Sequence, residues 1–339
     1  MHLAEEIVKY RSVAIAGLAK NAGKTVTLNY LIREAHKRAF QIGVTSVGID
    51  GESIDRVTLT AKPEIRLYTG MLFATSEVHY RNRLIQSEVT GIASRQTSLG
   101  KVVTARALSG GKVLLSGPAD TFSLRQLIKD MLEEGIRTVI VDGALSRVSL
   151  ASPAVTDAMI LATGAALSPD INKIVSKTKF VCSLMELPEV DQCLKERLEP
   201  IATGVWSIDT DGNPVSLGIR TSLDLKAIKE GISKYGSRFY IPGVVTDKLL
   251  QFLSSQKEIK ETELIVRDFT KLFIEPATLR VFLNKGGRLR VIKQTHLVAV
   301  TANPWSPAGY SVDKERLVES LRQELKVPVV YINPEDEKI

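Results

Sequence analysis

Short apolar runs alternate along the first half of the chain with longer stretches in which apolar residues recur every three or four positions. "VAIAG" at 13–17, "IGVTS" at 42–46, "TVIVD" at 138–142 and "DAMILATGA" at 157–165 have the length and composition of buried strands. Between the first two, "KTVTLNYLIREAHKRAF" at 24–40 places Val26, Leu28, Leu31, Ile32 and Ala35 on one stripe of a helix. Residues 111–143 read strand, loop, helix, strand, with Ser123 as the expected N-cap and Gly135 as the stop. After 157–165, "SPDINKIVSKT" predicts a helix that starts near Ser168, and "KFVCSLM" at 179–185 predicts a further buried strand. This alternation predicts an α/β fold: a doubly wound, mostly parallel sheet with at least five strands.

Two segments depart from that rhythm. Between 66 and 111 the pattern is irregular, and "GKVVTARALSGGKVLL" predicts a strand pair joined by Ser109-Gly110-Gly111. Placed beside the crevice, this insertion is expected to act as a lid, a partner surface or part of a dimer interface; its Arg81, Arg83 and Arg95 could hold an anionic substrate. Beyond 186, "VWSIDTDGNPVSLGI" predicts a hairpin turning at Asp211-Gly212-Asn213, followed by strands at "ELIVRDF", "RLRVIKQ" and "HLVAVTANP". The predicted organisation is therefore a first domain over 1–186 and a second α/β domain over 187–339.

Composition narrows the class. The 339 residues are 44% hydrophobic, and no apolar run approaches a membrane span. The opening "MHLAEEIVKYRS" lacks the apolar core of a secretory signal. Cys182 and Cys193 fit neither a redox motif nor a zinc site, so a cytoplasmic protein is expected. The net charge of +7 arises from 45 basic and 38 acidic residues dispersed along the chain. No basic block is interleaved with aromatics, and "KGGRLRVIK" alternates as a half-solvated strand does, so nucleic acid is not an expected partner. His2, His36, His79 and His296 lack metal-ligand spacing.

The chemistry concentrates in "SVAIAGLAKNAGKT" at 12–25. It lies between a predicted strand and a predicted helix, where loop and helix amides converge on an anion. Small residues let such a loop wrap phosphates, Lys24 would reach the β- and γ-phosphates, and the Thr25 hydroxyl would ligate Mg²⁺. Gly17, Lys20, Asn21, Ala22, Gly23, Lys24, Thr25 and Val26 are the expected nucleotide-binding residues. The first glycine stands one position earlier than in the G-x-x-x-x-G-K-[ST] pattern, since that place is occupied by Leu18. Asp142, ending the strand "TVIVD", is the expected second metal ligand. Asp50 and Glu52, after the strand at 42–46, end beside the same crevice, where either could face the γ-phosphate, and are further metal candidates. The alternative for these two is turn chemistry, because Asp50-Gly51 is a strong turn signal.

A glycine, five residues and then G-K-T resembles the loop of dethiobiotin synthetase and the cobyrinate amidotransferases, in the P-loop branch that includes the Min-type ATPases. That resemblance implies Lys20 as a second loop lysine acting across a homodimer, Asp50 as the residue that orients an attacking water or binds the metal through water, and Asn303 as a reader of adenine. "NKGG" at 284–287 lacks the Asp of a guanine motif, which favours ATP and leaves GTP open. The runs "YRSVAIAGLAKNAGKTVTLNYLI", "TSVGIDGE", "VDGALSRVSLASPAVTDAMILATGA", "RDFTKLF" and "ANPWSPAGY" resemble bacterial P-loop proteins associated with B12-dependent aminomutases, such as the lysine 5,6-aminomutase reactivase subunit. The resemblance implies an ATP-driven accessory protein acting on a client enzyme. Two alternatives stand beside it: a small-molecule ligase or kinase of the dethiobiotin synthetase kind, and a module that holds nucleotide without turnover.

Overall fold

The computed structural model describes residues 2–48, 65–143, 155–232 and 236–333. The chain divides into two compact units, Met1–Lys179 with His296–Ile339, and Phe180–Thr295. In the first unit, α1 (Leu3–Ile7) precedes β1 (Ser12–Gly17), α2 (Lys24–Lys37) and β2 (Ile42–Ser46). There follow β3 (Ile65–Leu67), β4 (Leu72–Ser76), α3 (Glu77–Arg81), β5 (Ser87–Thr97), β6 (Gly100–Ala107) and β7 (Gly111–Val113). Then come α4 (Thr121–Glu133), β8 (Thr138–Asp142), β9 (Ala158–Gly164) and α5 (Ile171–Met185), whose last turns enter the second unit.

Nine strands form the main sheet in the order β18-β17-β9-β1-β8-β2-β4-β6-β5, where β17 (His296–Asn303) and β18 (Val329–Tyr331) come from the far end of the chain. From β18 to β4 every pair is parallel; β6 and β5 add an antiparallel edge. The class is α/β with a large, mostly parallel mixed sheet. Side-chain alternation sorts the two faces. Val13, Ile15 and Ile140 pack with Leu28, Leu31 and Ile32 of α2, whereas Val139 and Val141 pack with Leu124, Leu127 and Met131 of α4. Each such side chain, taken fully out of water, contributes roughly 1.5–3 kcal/mol. At the opposite end of the central pair, the Asp157 carboxylate accepts from the Ser12 amide at 3.1 Å and the Ser12 hydroxyl at 3.2 Å, tying the approach to β9 onto β1.

The second unit carries α6 (Gln192–Leu198), β10 (Val205–Ile208), β11 (Pro214–Ile219), α7 (Leu225–Ile232), β12 (Arg238–Ile241), β13 (Val245–Thr246) and α8 (Asp247–Ser254). It continues with β14 (Glu263–Val266), β15 (Leu272–Phe273), α9 (Pro276–Asn284) and β16 (Arg288–Val291). Its main sheet runs β11-β10-β12-β14-β16. The hairpin at 205–219 forms as its turn chemistry predicts, with Asp209 accepting from the Asp211 and Asn213 amides and Gly212 at φ +79°. β16 alternates exposed and buried as its sequence predicts. After it the chain returns to the first unit through β17, α10 (Lys314–Glu324) and β18.

Five expectations change. "KFVCSLM" is not a strand; it completes α5, where Thr178 and Cys182 continue the buried side begun at Ile174. The helix cap before α4 is Asp120, whose carboxylate accepts from the Ser123 amide at 2.9 Å. Val26 is only half-buried, and Thr27 takes its place on the buried stripe of α2. The segment 296–333 does not belong with 187–295, because "HLVAVTANP" pairs with β9 from His296 to Asn303, with one register shift between Leu297 and Ala299. Within 66–111, β6 and β7 are not partners: β6 lies between β4 and β5, and β7 pairs with β3.

Candidate functional site at the carboxyl edge of the sheet

All the parallel strands of the main sheet end on one edge, and β1 is where the chain order reverses. β8 and β2 lie to one side of it, β9, β17 and β18 to the other. Such a switch point opens a crevice beyond the strand ends. The connection "LAKNAG" between β1 and α2 lies there. The Leu18 amide donates to the Ala162 carbonyl of β9 at 2.9 Å, and the Ala22 amide to the Ala19 carbonyl at 3.3 Å. Asn21 at φ +60° and Gly23 at φ +101° adopt left-handed backbone that turns the chain into α2.

Gly23 is the N-cap of α2, and the first helical amide to reach back is Thr27, at 3.0 Å from the Gly23 carbonyl. Helix geometry leaves the amides of Lys24, Thr25 and Val26 without intrahelical acceptors. The first turn of α2 carries no acidic residue, whereas Asp120, Asp191 and Asp313 cap α4, α6 and α10. The positive end of the α2 dipole is thus left for an outside group at the crevice.

Lys24 folds back over the turn. A methyl group placed on Gly17 would lie 2.9 Å from Lys24 Cγ and 3.1 Å from Cδ, so the absence of a side chain at 17 makes room for the lysine stem. Ala22 is fully buried beneath the turn, Thr25 and Val26 are half-buried, and Lys20 is exposed on its outer side. Asp142 ends β8 opposite Ile15 of β1 and Ser46 of β2. Its carbonyl accepts from the Val47 amide at 2.9 Å and the Ser46 hydroxyl at 3.2 Å, which fixes the backbone that carries the half-buried carboxylate. Asp50 and Glu52 lie outside the described residues.

Asn303 ends β17, and the structure brings it onto the same turn. Its Nδ2 donates to the Asn21 carbonyl at 3.3 Å, its Oδ1 accepts from the Trp305 amide at 3.1 Å, and its Cβ lies 3.1 Å from where a Gly23 Cβ would stand. Its carbonyl accepts from the Ala165 amide at 2.9 Å, across an approach so close that a Cβ on Gly164 would lie 1.8 Å from that oxygen. Beyond it, Pro304, Trp305, Ser311, Val312, Lys314 and Tyr331 line an open cavity of about 650 Å³. Lys314 stands 5.2 Å from the Tyr331 ring, and its hydrogen bond to Glu315 raises its pKa above the ordinary lysine value. The sequence carries no spacing signal for this cavity, because its walls come from the ends of two strands and the helix between them.

The histidines are placed separately. His79 is buried against the Ser116 hydroxyl at 2.8 Å, His296 meets the Tyr10 hydroxyl at 2.5 Å, and His36 stacks on Tyr68. In the insertion, Arg81 pairs with Glu77, Arg83 lies over Tyr80, and Arg95 lies near Asp120 and over Phe122. Among the described residues no group of three His, Cys, Asp or Glu side chains could hold a metal, and no helix is long and apolar enough to cross a membrane. Comparison with protein-family models, curated proteins and solved structures gives no match.

Proposed function

We propose that the chain is a Mg²⁺-dependent nucleotide-binding and hydrolysing protein of the P-loop kind, with phosphates held by the turn at 18–23 and the start of α2. The observation that carries this reading is the folding of Lys24 back across Gly17 at the switch point of the sheet, beside a helix start without an acidic cap. A lysine so held meets phosphate oxygens as a point charge, while the turn and helix amides supply directional donors. The Thr25 hydroxyl and the Asp142 carboxylate are hard oxygen donors of the type Mg²⁺ takes when phosphates and water complete its shell. Mg²⁺ there would neutralise charge on the terminal phosphates. ATP is the favoured nucleotide. An accessory role toward a client enzyme, a B12-dependent aminomutase, rests on the sequence resemblance alone.

The test is calorimetry of ATP and GTP binding with Mg²⁺ and with EDTA, on wild type and on Asp142→Asn. The variant should lose the Mg²⁺-dependent part of binding and turnover while its binding in EDTA changes little. Equal loss in both conditions assigns Asp142 to loop support, and no nucleotide binding by wild type removes the reading altogether. Turnover stimulated by cell-extract fractions that contain a client enzyme tests the accessory role.

A further inference from the structure

Asn303 is joined to the phosphate-facing turn by three separate features, none of which involves a base. The Trp305 amide can donate only to an oxygen, so it fixes which end of the Asn303 amide is Oδ1 and leaves Nδ2 facing the Asn21 carbonyl. Asn21 is in left-handed backbone, a conformation that costs a non-glycine residue energy, and the bond from Nδ2 falls on its carbonyl. Gly23, next but one, is also left-handed, and a Cβ added there would come within 3.1 Å of Asn303 Cβ, a tighter approach than ordinary contact. The support itself is rigid: the Asn303 backbone is paired to β9 at Gly164 and receives the Ala165 amide. Tyr310 closes the same corner by donating to the Ala165 carbonyl at 2.8 Å.

We infer that Asn303 is a positioning residue for the turn at 18–23, holding its amides in place for a polyphosphate, and that it does not select the base. The inference rests on the proposed nucleotide reading and adds to it the source of the turn's preorganisation. It also assigns base discrimination to residues other than Asn303. One Nδ2 hydrogen of Asn303 is committed to the turn and one Oδ1 lone pair to Trp305 before any base arrives.

The experiment measures the affinities of Mg²⁺-ATP, Mg²⁺-GTP and Mg²⁺-tripolyphosphate for wild type, Asn303→Ala and Asn303→Asp. The Asp variant keeps an acceptor for Trp305 but sets an oxygen against the Asn21 carbonyl. All three ligands should weaken by a similar factor, about tenfold for Asn303→Asp, with the ATP-to-GTP ratio unchanged. As the pH is lowered toward the ordinary aspartate value, about 3.9, protonation returns a donor to the Asp side chain, and the deficit of that variant relative to wild type should narrow. A loss confined to ATP, with tripolyphosphate unaffected, overturns the inference and makes Asn303 a base reader. Unchanged affinity for all three ligands in both variants also overturns it. Failure of wild type to bind any of the three defeats the nucleotide reading instead, so the two failures are distinct. Thermal melting of the ligand-free variants separates simple destabilisation, which would lower the melting temperature without the pH-dependent recovery.

Discussion

At the scale of single residues, the decisive relation is between Lys24 and Gly17. The sequence shows a glycine, five residues and G-K-T, but it cannot show why that first glycine sits at 17. The structure gives a steric reason: the lysine stem occupies the volume that a side chain at 17 would fill. Removing the lysine should therefore leave the fold intact, since its ammonium belongs to no described ion pair and α2 stays anchored through Leu28, Leu31 and Ile32. Lys24→Ala is expected to weaken Mg²⁺-nucleotide binding by about 2 kcal/mol, the scale of a charge-assisted contact. Calorimetry checks this, with circular dichroism to verify that the helix remains; unchanged affinity would end the phosphate-cradle reading. Asn303 illustrates the other side of residue-scale reading. Asn303-Pro304 reads as a turn, and its contact with Asn21 depends on a strand pairing that no local pattern encodes.

At the scale of elements, the strands of the central sheet are legible because fully buried parallel strands are short, uniformly apolar runs, as β1 and β9 are. The same simplicity misleads at "KFVCSLM", where a short apolar run fits a strand and a buried helical turn equally well. What decides is continuity with the preceding residues: Ile174, Thr178 and Cys182 recur at helical spacing, so α5 runs on to Met185. The start of α4 was readable only to within a turn. Ser and Asp are both good caps, and Asp120 wins with a carboxylate that meets the Ser123 amide. That hydrogen bond, reinforced by Arg95 nearby, lowers the Asp120 pKa below the ordinary aspartate value. A depressed carboxyl pKa contributes stability that is complete above the unfolded value, about 3.9, and is lost as pH falls through the folded value. Asp120→Ala should thus cost about 1 kcal/mol at pH 7, and the gap from wild type should close below about pH 3.9. Urea unfolding midpoints of both proteins at neutral and acid pH measure this; a gap that stays constant assigns the loss to something other than the charged cap.

At the scale of the molecule, a linear reading of domains fails for a topological reason. A division near residue 186 looks natural because the α/β rhythm changes there, yet β17 completes the sheet begun by β1 and β9, and β18 extends it. The residues between form a unit of their own, with separate sheets and a separate core around Val190, Leu194, Tyr240 and Ile265. Nothing in "HLVAVTANP" marks which sheet it joins, since an apolar strand satisfies either until its partner is known. The consequence is measurable. A fragment of residues 1–186 would leave the inner strand β9 as a bare edge and would lack Ala299 and Val298 from the core that contains Val13, Ile15 and Ile160. An exposed apolar edge of that length is a site of aggregation, and the missing strand removes several side chains each contributing roughly 1.5–3 kcal/mol against a total stability of about 5–15 kcal/mol. The fragment alone should be aggregated or show no cooperative melting transition. Co-expression with residues 296–339 as a separate chain should recover a soluble complex that melts cooperatively. A fragment of 1–186 that melts cooperatively by itself would show that the sheet is complete without its last two strands.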